Sequence, residues 1–240
     1  MKKAFLKKEE PMNKVELLAP AGNLEKAKIS LMYGADAVYV GGKSFSLRAR
    51  ASNFSVLEIE ELVEFAHKLN KKVYVTMNII PHDSDFSGLD EYLKDLEKVN
   101  VDAIIVSSLY IIKRAREVAP RLEVHLSTQK STTNVPTIEY YEKLGATRVV
   151  LAREVTLDEM KYIKEHTNLE LEVFIHGGMC ASYSGHCVLS NHMTNRDANR
   201  GGCAHSCRWN YTLVKDGEKL PLNFNFGSKD MMAVSFIPSL

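Results

Sequence analysis

Short β-branched runs alternate with longer, charged and amphipathic segments along most of this chain. The runs Val15–Pro20 (VELLAP), Asp36–Gly41 (DAVYVG), Lys72–Ile80 (KVYVTMNII), Val101–Ser107 (VDAIIVS), Glu123–Thr128 (EVHLST), Arg148–Ala152 (RVVLA) and Glu170–His176 (ELEVFIH) read as strands. Between them, apolar residues at helical spacing predict helices over 24–33, 56–69, 88–99, 108–118, 136–144 and 157–165. In the second of these, Ile59, Leu62, Val63 and Ala66 fall on one stripe. Asn23, Ser55, Ser87 and Thr156 suit N-caps, and Gly34 and Gly145 suit helix ends. Strict alternation of this kind is the mark of repeated βα units, so the fold class is α/β and the expected architecture is a TIM-type (β/α) barrel.

Two stretches break the alternation. Residues 1–14 form a polar tail expected to fray, and residues 177–221 form an irregular segment that opens on Gly177-Gly178. The expected organisation is therefore a tail over 1–14, seven βα units over 15–176, a Cys-rich segment over 177–221, and a truncated barrel end over 222–240. That end holds a short strand at Phe224–Phe226 and one turn of helix. Strand starts recur every ~26 residues, so eight units plus the tail and the Cys-rich segment need about 267. The chain has 240, and the expectation is that the eighth unit is missing.

Composition narrows the class without naming a function. The chain is 45% hydrophobic and 25% charged, which rules out bulk disorder, and its formal net charge of +1 makes no overall electrostatic case for nucleic acid. Apolar stretches such as Ala103–Val106 and Val149–Ala152 fall far short of the roughly 18 residues that span a bilayer. The basic start (Lys2, Lys3, Lys7, Lys8) has no apolar stretch after it, so a soluble, cytoplasmic protein without a membrane partner is expected. All four cysteines lie between Cys180 and Cys207, a distribution unlike a secreted disulfide framework.

Active sites of parallel barrels lie at the C-terminal strand ends. Polar residues collect there: Arg48 and Arg50 after the second strand, Thr76 and Asn78 at the third, and Ser107 and Ser108 at the fourth. Period-two alternation puts His125, Ser127 and Gln129 on one face of the fifth strand, and Glu172, Phe174 and His176 on one face of the seventh. Arg153-Glu154 follow the sixth. Individually these residues also suit core polar groups or loop caps; as a set they suit a small anionic ligand. No nucleotide-cradling glycine pattern is present, and Gly41-Gly42 alone is a weak signal.

The Cys-rich segment is the strongest signal. Its spacing, C-x6-C-x15-C-x3-C, supplies four thiolates from one local stretch. An all-cysteine zinc site, an iron–sulfur cluster and unliganded buried thiols all remain open on this spacing, although zinc ribbons use tight C-x2-C pairs and a cubane accepts wider intervals. His176, His186, His192 and His205 lie in or beside the segment, with Arg196, Arg200 and Arg208, and with Tyr183, Trp209 and Tyr211 interleaved. Basic residues mixed with aromatics suit single-stranded RNA, or else pack around the metal centre, with Trp209 shielding it.

The run from Glu172 through Phe174 and Gly177-Gly178 to Cys180, and then Ser184-Gly-His-Cys187-Val-Leu-Ser190, resembles the signature of the collagenase-like peptidases. ELLAPAGN at 16–23, GADAVYVGG at 34–42, EVHLSTQ at 123–129, RVVLARE at 148–154, SNHMTNRDANRGGC at 190–203 and SCRW at 206–209 are similar to the same family. The resemblance runs from about residue 14 to 240, and within the family it is nearest the group associated with tRNA 5-hydroxyuridine synthesis at the wobble position. It implies a TIM-type barrel in which Cys180, Cys187, Cys203 and Cys207 hold a 4Fe-4S cluster; on spacing alone, zinc bound by the same thiols stays the alternative. It also implies prephenate-dependent hydroxylation of C5 of a uridine in a tRNA anticodon loop.

On that chemistry, the strand-end positions make His176, Glu172 and His125 the catalytic candidates. Arg48, Arg153, Gln129 and Asn78 become the substrate-binding set, the arginines pairing with a dicarboxylate, and Arg196, Arg200 and Arg208 the RNA contacts. Two departures from the family pattern stand out. Gly178 replaces a usual Ser or Ala, and the chain ends at Ser239-Leu240, before a closing helix and an acidic-Gly-basic strand. Two other readings remain. The family name implies a peptidase, but HExxH and GxSxG are both absent, so a nucleophile would have to be one of the clustered thiols. The third is a non-catalytic, zinc-stabilised barrel subunit whose open edge is completed by an identical or paralogous partner.

Overall fold

The computed structural model of the chain describes residues 15–47 and 53–239, so the expected tail over 1–14 and the candidates Arg48 and Arg50 lie outside the described residues. Seven strands form one parallel sheet in chain order: β1 (Leu18–Pro20), β2 (Ala37–Gly41), β3 (Lys72–Met77), β4 (Ala103–Val106), β5 (Glu123–Leu126), β6 (Arg148–Val150) and β7 (Glu170–Glu172). The crossovers carry α1 (Leu24–Met32), α2 (Val56–Lys68), α3 (Leu89–Lys98), α4 (Leu109–Val118), α5 (Val135–Lys143) and α6 (Leu157–Glu165). The α/β class and the strand–helix alternation are those the pattern predicts.

Local chemistry explains the helix starts. Ser55 with Glu58 and Thr156 with Glu159 form reciprocal capping boxes, and Asn23 and Asn134 accept from the N–H groups of Lys26 and Thr137. Ser87 is not a cap. Gly88, with φ +73, takes the N-cap position of α3, because a short 3-10 turn over Asp83–Phe86 carries the chain in from another direction.

The period-two pattern sorts side chains onto two faces. Val38, Val40, Val73, Val75, Ile104, Val106, Val124, Leu126 and Val149 pack with Ile59, Leu62, Leu93, Ile111, Ile112 and Ile138 of the helices in the main core. Each fully buried Leu or Ile there contributes roughly 1.5–3 kcal/mol. The other parity faces inward, where Ala37, Tyr74, Ala103 and Ile105 form a small separate cluster.

That inner face is curled. Glu16, just before β1, meets Arg148 of β6 at 2.6 Å, although the two strands stand five places apart in the sheet order. In a flat sheet five places would span about 24 Å. The sheet is therefore rolled like a barrel wall, yet among the described residues no backbone ladder joins β1 to β7.

Beyond β7 the chain leaves the sheet. β8 (His176–Gly177) pairs antiparallel with β11 (Met231–Met232); between them lie α7 (Leu189–Thr194) and the hairpin of β9 (Tyr211–Lys215) and β10 (Glu218–Phe224). The hairpin turns through Asp216-Gly217, both at positive φ, as a two-residue Asp-Gly turn requires. Of the strand expected at 224–226 only Phe224 is in a strand, as the last residue of β10, whose start at Glu218 lies before the anticipated break at 221/222. No helix among the described residues is long and apolar enough to cross a membrane.

Candidate active site and cysteine segment

At the C-terminal mouth, several predicted strand-end residues are tied to loops. Asn78 accepts from the Leu47 N–H at 3.2 Å, the Ser46 and Thr76 hydroxyls share a 2.7 Å hydrogen bond, and Ser107 donates to the Ile79 carbonyl at 2.9 Å. These contacts shape the mouth and engage the Asn78 carbonyl oxygen with the loop after β2. Gln129 and Arg153 differ. Gln129 is buried on a 3-10 turn over Thr128–Lys130 with Oε1 unpaired. Arg153 lies over the Phe174 ring at 5.0 Å with Nη1 buried and unpaired. The Gln129 oxygen can accept from a polar ligand, and the Arg153 nitrogen can donate to one.

The three residues expected to act together in catalysis divide between two places. His125 is fully buried inside the rolled sheet, edge-on to Tyr74 at 4.6 Å, with Glu123 at 3.5 Å and Arg148 in register beside it. β5 ends at Leu126, so Ser127 and Gln129 do not continue its face. Burial lowers the His125 pKa and favours the neutral ring. Glu172, at the end of β7, faces the same interior, 3.6 Å from Arg148. Burial pushes its carboxyl up to about 7; Arg148 pulls it down and Glu16 pushes it up further.

His176 corrects the expectation of a common face with Glu172. The strand stops at Glu172, and His176 is exposed on the separate β8–β11 ribbon. Once the chain leaves the sheet, the period-two rule no longer relates it to Glu172.

Sequence reasoning passed over the residue at the centre of the interior, Arg148. It bonds Glu16 at 2.6 Å and Glu170 at 2.5 Å, and it stacks on Tyr74, whose hydroxyl donates to Glu16 at 2.8 Å. Its signal was present: a charged residue in an apolar strand, with Glu16, Glu170 and Glu172 on neighbouring strands.

The Cys-rich segment folds back over the mouth and is fastened to several βα loops. Ser184 donates its N–H and its hydroxyl to the two Glu154 oxygens at 2.9 Å each. His186 Nε2 bonds the Gln129 carbonyl. Across the mouth, the Ile80 N–H donates to the Asn199 carbonyl at 3.0 Å, and Arg200 grips Asp85. Glu154, Asp85 and Ser184 were not singled out as anchors; a carboxylate's distant partner is invisible in sequence.

All four cysteines are free thiols. Burial raises the Cys187 pKa, but the N–H groups of Ser190 and Leu189 and the Ser182 hydroxyl outweigh it and bring it down. Arg208 feels the charge of both Cys180 and Cys207. Among the described residues, no three His, Cys, Asp or Glu side chains converge as ligands of a single metal ion.

The arginines expected to contact RNA are held within the protein. Arg200 binds Asp85 and the Ile80 carbonyl, Arg208 binds Asp230 at 2.5 Å and the Met179 carbonyl at 3.2 Å, and Arg196 reaches the Cys203 carbonyl at 3.4 Å. Tyr211 packs on Phe224 and Phe226, whereas Tyr183 and Trp209 are 57% and 43% exposed, so Trp209 is not a buried shield.

Residues 22–240 match the model of Peptidase family U32. The chain is 51% identical over 237 residues to "tRNA hydroxylation protein P1" of Bacillus subtilis, covering 95% of this chain and 56% of that protein. It is 41% identical over 204 residues to the "23S rRNA 5-hydroxycytidine C2501 synthase" of Escherichia coli, covering 85% of this chain and 31% of that one. The chain thus spans about half the length, or less, of the curated relatives it matches. The solved U32 peptidase Mk0906 superposes with a TM-score of 0.59 at 15% identity, covering 71% of this chain and 72% of that one, a likeness of fold.

Proposed function

The chain belongs to peptidase family U32, and from that premise we propose that it forms the barrel portion of an RNA-hydroxylating enzyme. The proposed reaction is prephenate-dependent hydroxylation of C5 of the tRNA wobble uridine to 5-hydroxyuridine, in the cytoplasm. Cys180, Cys187, Cys203 and Cys207 would hold a 4Fe-4S cluster. The names of the two relatives support the class of reaction, since each describes RNA hydroxylation.

One observation carries the reading: the segment bearing every cysteine is fastened across the strand-end mouth, through Glu154 and Gln129 on one side and Ile80 and Asp85 on the other. The donor chemistry fits a cluster. The thiols are free, donors surround the Cys187 sulfur, and Arg208 balances charge near Cys180 and Cys207. A cubane takes its ligands on separate irons, so the thiols need not converge on one point as a single zinc ion demands. Such a cluster, when bound, supplies one-electron transfer and Lewis-acidic iron.

The chain's own residues would do the rest. Arg153, with a buried unpaired Nη1 over Phe174, would bind a carboxylate of the co-substrate, and Gln129 Oε1 would accept from its hydroxyl. Glu172 would hold a proton near neutrality inside the barrel. Exposed Tyr183 and Trp209 would stack on unpaired anticodon-loop bases. The β1 and β7 edges would pair with a further strand, from a longer chain or a second subunit.

The test is nucleoside analysis of tRNA from cells with and without the full-length gene, with iron and sulfide assays on the reconstituted protein. The expected result is loss of 5-hydroxyuridine on deletion, rescue by the wild-type gene, and no rescue by Cys203→Ser. Unchanged 5-hydroxyuridine rejects the function, and tight binding of zinc alone rejects the cluster.

A further inference from the structure

We propose that Asp85 is a positioning residue for the thiol set, holding the half of the segment that carries Cys187 and Cys203 through Arg200; this rests on reading the four thiols as ligands of one cluster. Asp85 sits on the 3-10 turn after β3, more than a hundred residues before its partner. It is itself braced, since its Oδ2 accepts from the His82 N–H at 2.6 Å and its own N–H donates to the His82 carbonyl at 2.9 Å.

Arg200 meets Asp85 with both terminal nitrogens, Nη2 to Oδ1 at 2.8 Å and Nη1 to Oδ2. The same Nη1 donates to the Ile80 carbonyl at 3.2 Å. The preceding residue continues the path. The Asn199 carbonyl accepts from the Ile80 N–H at 3.0 Å, and Asn199 Nδ2 donates to the Cys187 carbonyl at 3.1 Å. On the far side of Arg200, the Gly202 N–H, next to Cys203, bonds back to the Asp197 carbonyl at 2.6 Å. One loop of the barrel thus reaches the backbone at Cys187 and beside Cys203, while the opposite side of the mouth holds the turn between Cys180 and Cys187 through Glu154.

An exposed ion pair contributes little, but this one is two-pronged, and the Asp85 and Arg200 side chains are only 19% and 26% exposed. Hydrogen bonding by Arg200 holds the Asp85 carboxyl down at about 2, so the pair stays charged across the physiological range.

The test compares wild type with Asp85→Asn and Asp85→Glu, using two readouts that do not depend on activity. In reconstituted protein, iron release to a chelator is followed by absorbance. In apo protein, labelling of Cys187 and Cys180 by a thiol reagent is followed by mass spectrometry. Asp85→Asn should speed both iron release and Cys187 labelling by about tenfold, leave Cys180 labelling unchanged, and be largely rescued by Asp85→Glu. Wild-type rates in Asp85→Asn overturn the proposal, as does equal acceleration at Cys180, which would mean general loosening. If wild type takes up no iron and sulfide, the cluster reading fails, and Cys187 labelling in the apo protein still decides whether Asp85 positions the segment.

Discussion

Glu16 Oε1 accepts a 2.6 Å hydrogen bond from Arg148 Nη1, and that contact joins the segment entering the first strand to the sixth strand of the sheet. Arg148 also binds Glu170 on the seventh strand, so one guanidinium links both edges of a sheet whose backbone ladder leaves them apart. Three carboxylates, those of Glu16, Glu170 and Glu172, lie around this one arginine.

Arg148→Met should therefore cost about 3 kcal/mol, because it leaves the largely buried Glu16 and Glu172 without their cation, whereas Glu170, 62% exposed, can turn to water. Glu16→Gln should cost far less, about 1 kcal/mol, because the amide oxygen still accepts from Arg148 and Tyr74. Urea midpoints of the two variants decide the matter. Equal, small losses would show that the edges are held by something other than Arg148.

Glu172 gives stability a pH dependence of definite sign. Its carboxyl titrates at about 7 in the folded chain against an ordinary 4.5, so the native state binds more protons between those values. Stability from this group is present below about 4.5 and is lost as pH rises through 7, by about 3 kcal/mol. Glu172→Gln, neutral at every pH, should be steadier than wild type at pH 8 and no better at pH 5. Melting temperatures at the two values should differ by several degrees for wild type and by less for the variant. A difference that the substitution leaves unchanged would assign the titration to another group.

Much of this architecture is legible in sequence because it rests on local rules. Val73, Val75, Ile104 and Val106 alternate toward the helices, and Ser55 and Thr156 cap the helices that follow them. What parity cannot say is where a strand ends. Glu172 and His176 share parity, but the sheet stops at Glu172, and three residues of presumed strand become a path to another ribbon. Partnership is the other blind spot. Arg196, Arg200 and Arg208 look like a basic surface in sequence, yet each finds an acceptor in the fold, and Arg200 finds Asp85 only because βα loops converge at the mouth.

Ser184 holds a left-handed conformation, φ +45, with its N–H and hydroxyl both directed at Glu154. Glu154→Ala removes both acceptors and should raise amide exchange of residues 182–187 by about tenfold while leaving the sheet's protection unchanged. Glu154→Gln, which keeps one carbonyl oxygen for the N–H, should fall between. Native-state hydrogen exchange by mass spectrometry reads both effects. Wild-type exchange in Glu154→Ala would mean that the turn is held by its other contacts.

Two glycines in the cysteine segment should respond differently to the same substitution. A Cβ on Gly202 would lie 2.5 Å from the Asp197 carbonyl oxygen and 2.9 Å from its backbone carbon and nitrogen, so the 197–202 loop must open to admit it. A Cβ on Gly178 would meet only Arg208 Nη2 at 3.4 Å and Asp230 Oδ1 at 3.7 Å, ordinary contact distances at side-chain ends. Gly178→Ala should leave stability within about 0.5 kcal/mol of wild type. Gly202→Ala should leave the sheet's melting temperature nearly unchanged, because the strained loop lies outside the barrel core. Its effect should instead be local, exposing Arg196, Arg200 and Arg208 to trypsin at a several-fold higher rate. If both variants resist trypsin like wild type, the loop tolerates a Cβ at Gly202 and the tight Gly202–Asp197 approach does not constrain the backbone next to Cys203.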